Sequence, residues 1–327
     1  MEHRVLGRTG RMVGVIGLGA WQLGADWGEV SEDDALETLG AALAAGVDFI
    51  DTADVYGDGR SEQIIGRLLR EHPGAGLTVA TKMGRRVALD PGLYTLENFR
   101  AWTERSRANL GVETLDLVQL HCPPEPVYSS PAVYEALDTL VAEKRVAAYG
   151  VSVETCEQAL TAIAHPGVAT VQIILNAFRL KPLERVLPAA AAAGVGIIAR
   201  VPLASGLLSG KYDAATSFAA NDHRNYNRHG EAFDVGETFS GVDYDTGLEA
   251  VRRLRPLVPG GASTAQFALR WILDQPGVSV VIPGARNPQQ AAANAAAADL
   301  AALPEQTHCG VRAVYDELIR AQVHERW

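Results

Sequence analysis

The chain has 327 residues, 47% of them apolar and 21% charged, a balance that suits a soluble globular protein with a large core. Its formal net charge of −10 argues against nucleic acid as a general partner, because phosphate binding needs a basic face. Three cysteines (Cys122, Cys156, Cys309) without a CxxC, and no charge-free apolar run near the ~20 residues that span a bilayer, point to a reduced cytoplasmic protein with no disulfide framework, metal knuckle or membrane span.

In chain order, RVLGRTGRMV reads as a hairpin around an Arg-Thr-Gly turn. VGVIGLG (13–19) is the first strand, and a helix opens at Ser31 and stops at Gly46. Strand-like runs then alternate with helical ones. The runs are VDFID (47–51), LTVATK (77–82), LDLVQLH (115–121), RVAAYGVS (145–152), TVQIILN (170–176), VGIIAR (195–200) and VSVVIPG (278–284). Most are continuously apolar, as strands buried on both faces are. Eight βα units predict one (β/α)8 barrel over 1–327, an α/β fold. The alternative, a doubly wound sheet, would carry GxGxxG after its first strand, and GLGAWQLG lacks it. Residues 205–245 match neither periodicity; a long loop after strand seven lies on the active face and is read as a cover over ligand. A final helix, VRAVYDELIRAQV, precedes HERW.

In a barrel, side chains at strand carboxyl ends converge on one mouth. Asp51, Lys82 and His121 end strands two, three and four, and Tyr56 lies in the loop after Asp51. Together they suit proton donation: a lysine beside a phenol favours the phenolate, an aspartate holds the lysine, and a histidine orients a carbonyl oxygen. No side chain supplies hydride, so a nicotinamide cofactor is implied. Lys82 alone would also suit a Schiff-base aldolase. NDHRNYNRH lacks metal-ligand spacing and reads as loop, so no metal is expected.

The stretches GLGAWQLG, FIDTADVYGDGRSE, VATK, VQLH, YGVS, VPLASGLLSGKY and IPGARNPQQAAAN resemble the aldo-keto reductase superfamily over nearly the whole chain. The resemblance implies a catalytic tetrad of Asp51, Tyr56, Lys82 and His121, with Tyr56 as general acid and Trp21, Tyr56 and His121 around a small carbonyl substrate. It also implies cofactor contacts. Gly19, Ala20 and Trp21 lie at the first strand end, and Ser152 and Gln172 at the carboxamide, where Val153 replaces a common asparagine. Arg200 stands where an aromatic often stacks on the nicotinamide. Pro202, Leu203, Ser205 and Gly206 would wrap the pyrophosphate, and Gly284, Arg286, Gln290 and Asn294 the adenosine end. Arg286 at a helix start favours NADP(H) over NAD(H). Some members partner ion channels, so a cofactor-sensing regulatory subunit is a further reading.

Overall fold

The structure, a computed structural model, describes residues 1–24 and 30–327. A two-stranded antiparallel hairpin, β1 (His3–Val5) and β2 (Met12–Gly14), precedes eight parallel strands. These are β3 (Leu18–Gly19), β4 (Phe49–Asp51), β5 (Thr78–Met83), β6 (Leu117–His121), β7 (Tyr149–Ser152), β8 (Val168–Ile174), β9 (Gly196–Arg200) and β10 (Val278–Val281). Each pairs with its sequence neighbour, and bridges from Ile16 to Val281 and from Gly19 to Gly284 join the two ends of the sheet into a barrel. The expected first strand, 13–19, is thus divided: its start belongs to the hairpin and its end to the barrel. The predicted barrel is otherwise what the chain forms.

Inside the barrel, Phe49, Ala80, Leu117, Ile198 and Val280 pack with Leu6 and Val13 of the hairpin, which plugs the floor. A larger apolar layer lies between the strands and the surrounding helices. These are α1 (Glu32–Ala44), α2 (Arg60–Glu71), α3 (Leu96–Leu110), α4 (Pro131–Ala142), α5 (Cys156–Ile163), α6 (Val186–Ala193), α7 (Tyr244–Leu254), α8 (Thr264–Leu273), α9 (Pro288–Ala295) and α10 (Glu305–Val314). Local chemistry starts them where it should. Ser31 Oγ accepts from Asp34 N at the head of α1, while Thr155 with Gln158 and Ser263 with Gln266 form capping boxes on α5 and α8. Past α10 the chain stays helical to Val323, with a π turn over Tyr315–Ile319.

The ladder register sets the mouth. Gly19 is level with Asp51, Lys82 with Gln119, His121 with Ser152, Ser152 with Gln172, and Ile174 with Arg200. With the floor plugged, the carboxyl ends of the strands are where functional groups can gather. Residues 201–243 fold there as short turns joined by irregular backbone, among them Ala204–Ser209, His223–Tyr226, Val235–Glu237 and Phe239–Gly241.

Candidate active site

Lys82 is 1% exposed and could not stay charged there without partners. Its Nζ donates to Asp51 Oδ1 at 2.5 Å, to the Thr52 carbonyl at 2.8 Å and to the Tyr56 hydroxyl at 3.4 Å. Burial pulls the Lys82 pKa down, but the Asp51 carboxylate and the Tyr56 phenol outweigh it and hold it above the ordinary value. The other oxygen of Asp51, Oδ2, accepts from Gln172 Nε2 at 2.7 Å and Gln119 Nε2 at 3.2 Å. Every acceptor of this carboxylate therefore points inward to a fixed donor.

Burial raises the Tyr56 pKa above its ordinary value; Lys82 opposes this, while Asp51 and Glu237 add to it. The lysine acts in the direction read from the sequence, but burial and two carboxylates exceed it. The phenol is the protonated species at neutral pH, which is what a general acid requires. The Tyr56 ring meets His121 edge-on, with centroids 5.9 Å apart, and stacks with Trp21 at 6.0 Å. His121 is neutral, because burial first, and then Arg85, Lys82 and Arg200, push its pKa well below the usual imidazole range.

A second charged cluster lies on the same rim. Arg200 donates to Glu154 Oε2 at 2.8 Å and to the Val153 carbonyl at 2.9 Å, and sits 3.3 Å from Glu237 Oε2. Arg85, three residues beyond Lys82, bonds Glu237 Oε1 at 3.0 Å and lies 3.6 Å from Glu154 Oε1. Burial pushes the Glu237 carboxyl up, yet Arg200 and Arg85 hold it below the carboxylate range. Arg200 also reaches the Cys122 thiol, which burial raises to about 12 and so keeps protonated. Cys122, Glu154 and Glu237 cluster closely enough to suggest metal ligands. Two guanidiniums already neutralise those carboxylates, and the thiol is a poor ligand while protonated.

The remaining sequence-predicted residues fall around this mouth. Ala20 N donates to the Asp51 carbonyl, and Ser152 Oγ lies 3.5 Å from Cys122 Sγ. The carbonyl of Leu203, next to Pro202, accepts from Gly206 N and Leu208 N. Ala204, Ser205 and Gly206 all have positive φ, curling the backbone into a concave turn. Ser205 Oγ donates to the Glu237 carbonyl and accepts from Phe239 N, so the long segment is tied to this turn. At the head of α9, Arg286 is exposed while its N–H donates to Gln290 Oε1. Asn294 Nδ2 donates to the Gly284 carbonyl. Sequence reading missed Gln119, Arg85, Glu154 and Glu237. The first lies two residues before His121, an inward position by strand alternation; Glu237 carried no signal at all.

A plugged barrel thus carries an Asp-Lys-Tyr-His cluster at its mouth, with a protonated phenol beside a buried ammonium. The aldo/keto reductase family model matches residues 15–316, and the chain belongs to that family of oxidoreductases. It is 33% identical over 300 residues to the aldo-keto reductase YhdN of Bacillus subtilis (strain 168), covering 89% of this chain and 86% of that one. The glycerol dehydrogenase AKR11B4 of Gluconobacter oxydans superposes with a TM-score of 0.78 at 30% identity, over 97% of this chain and 95% of that one. A Klebsiella pneumoniae aldo/keto reductase solved with NADP and acetate shares the fold, with a TM-score of 0.70 at 22% identity and 96% of each chain covered.

Proposed function

We propose that the protein reduces a small aldehyde or ketone to the alcohol, with NADPH as hydride source and Tyr56 as the acid that protonates the forming alkoxide. The observation that carries this reading is the contact of Lys82 Nζ with Asp51 Oδ1 and the Tyr56 hydroxyl, beside a neutral His121. The neutral imidazole donates a hydrogen bond to the carbonyl oxygen, and the phenol passes its proton to the same oxygen as charge builds there. Lys82 then stands beside the developing phenolate. As a buried ammonium, Lys82 is unsuited to Schiff-base chemistry, which needs a free amine.

The residues fit a dinucleotide. The left-handed turn Ala204–Gly206 and the start of α9 with exposed Arg286 are cradles for phosphate groups, and Ser152 lies at the mouth beside His121. When bound, the nicotinamide supplies the hydride that no side chain can. Arg286 favours the extra phosphate of NADP(H). The test is turnover of a panel of small aldehydes, hydroxyaldehydes and dicarbonyls with NADPH and NADH in parallel. Tyr56→Phe should lower kcat on the best substrate by about 10²–10⁴-fold with KM little changed. Undiminished turnover by that variant would remove Tyr56 from the chemistry.

A further inference from the structure

The last residue of the chain is neither exposed nor loosely packed. Trp327 is 6% exposed, and its Nε1 donates to Asp234 Oδ1 at 3.0 Å. A methyl group on Gly241 would collide with the indole, and one on Gly236 would press on it at 3.0 Å and collide with Arg179 and Asp234 at 2.8 Å. Those two glycines bracket Glu237, Thr238, Phe239 and Ser240. Phe239 and Ser240 hold positive φ (52° and 60°), a conformation that side-chain-bearing residues keep only under outside constraint. The constraint is visible: Phe239 N reaches Ser205 Oγ, and Asn176 Nδ2 donates to Ser240 Oγ at 2.8 Å. The indole completes it from behind.

A second route leaves the same ring. The Arg179 guanidinium sits 4.0 Å from the Trp327 centroid, buried, and donates to the Ser240 carbonyl and to the Glu154 carbonyl. The indole thus backs both segments that deliver carboxylates to Arg200. One carries Glu237 and the other Glu154.

We propose that Trp327 is a positioning residue for the active site: it holds residues 234–241 and Arg179 against the rim, and so keeps Glu237 and Glu154 on Arg200 and Arg85 beside His121. The kinetic part of this rests on the reductase reading above. Charged and titratable groups face Tyr56 from three strands and one loop: Asp51 from β4, Lys82 from β5, His121 from β6, and Glu237. Withdrawing Glu237 removes an anion that keeps the phenol protonated. Tyr56 then ionises at lower pH, and reduction, which needs the protonated phenol, fails at lower pH.

The experiment compares Trp327→Leu, Trp327→Phe, Glu237→Gln and the Leu/Gln double variant, with NADPH and 4-nitrobenzaldehyde as probe. Trp327→Leu is expected to lower kcat/KM about tenfold and move the alkaline limb of its pH profile to lower pH. Glu237→Gln should move it the same way, Trp327→Phe should restore most of both, and the double variant should match Glu237→Gln within about twofold. A Trp327→Leu protein that melts earlier but keeps the wild-type pH profile and KM overturns the proposal, as do single penalties that multiply. If the wild type reduces nothing, the reductase reading falls, and amide exchange still decides on the clamp. Faster exchange at both 200–206 and 234–241 in Trp327→Leu, but not in Trp327→Phe, supports it; a change confined to 320–327 overturns it.

Discussion

Two buried ionic clusters share one barrel mouth and are built in opposite ways. Lys82 and Asp51 come from adjacent strands, β5 and β4, whose ladder fixes their height, and their side chains are 1% and 4% exposed. Arg85, Glu154, Arg200 and Glu237 come from four separate strand ends and loops, with side chains 8–19% exposed. The strand-borne pair has no redundancy: among the described residues Lys82 is the one cationic partner of Asp51, and that carboxylate is otherwise held by amides. In the loop-borne cluster each carboxylate meets two guanidiniums. The Lys82–Asp51 pair is fixed by the strand ladder, whereas the second cluster also depends on how the loop carrying Glu237 packs.

The largest effect that tests this contrast is Lys82→Met. It leaves a buried carboxylate without its counter-charge, and should destabilise the fold by about 3–5 kcal/mol as well as abolish turnover. Lys82→Met with Asp51→Leu removes both charges and should recover much of the stability but none of the activity. Arg200→Met should cost about 1–2 kcal/mol, because Arg85 still faces Glu154 and Glu237. Urea unfolding of all three variants reads the difference. Equal losses for Lys82→Met and Arg200→Met would erase the distinction between the two clusters.

The same division explains what the sequence made legible. Asp51, Lys82 and His121 end apolar runs, so strand periodicity and barrel topology bring them together without knowledge of any loop. Glu237 lies in a polar segment with no periodicity, and its carboxylate reaches Arg85 across 152 positions of chain. Its place is set by contacts far apart in the sequence, among them Ser205 Oγ to the Glu237 carbonyl and Asn176 Nδ2 to Ser240 Oγ. Trp327 reads only as the end of the HERW segment, because nothing in its neighbours signals two close-packed glycines some ninety residues earlier. The first strand was read too long for a related reason: Met12–Gly14 and Leu18–Gly19 are one apolar run in sequence, and only tertiary pairing divides it between hairpin and barrel.

Arg286 sharpens the comparison from the segment after β10, where a charge is exposed and has no carboxylate partner among the described residues. A charge-assisted hydrogen bond is worth about 1.5–3 kcal/mol. Arg286→Ala should therefore weaken NADPH binding roughly 10–100-fold and leave NADH nearly unchanged, as read by titration of cofactor fluorescence. Equal weakening of both cofactors would place Arg286 on some other part of the dinucleotide.

A further test concerns Asp54, a buried acid on the loop that joins Asp51 to Tyr56. It is 2% exposed, and its Oδ1 has no hydrogen-bond partner among the described residues. Burial, and then Glu62, raise its pKa to about 7 against the partial opposition of Arg86 and Arg105. The folded state therefore binds this proton more tightly than the unfolded chain, so raising the pH from about 4 to 7 lowers stability, with no further loss above. Asp54→Asn removes the charge while keeping the shape. Relative to wild type it should gain nothing near pH 4, then progressively more up to pH 7, and level off there, as read by Tm measured at each pH. A difference from wild type that does not vary across this range would show instead that the carboxyl is already ionised at its lower end, with Arg86 and Arg105 outweighing burial.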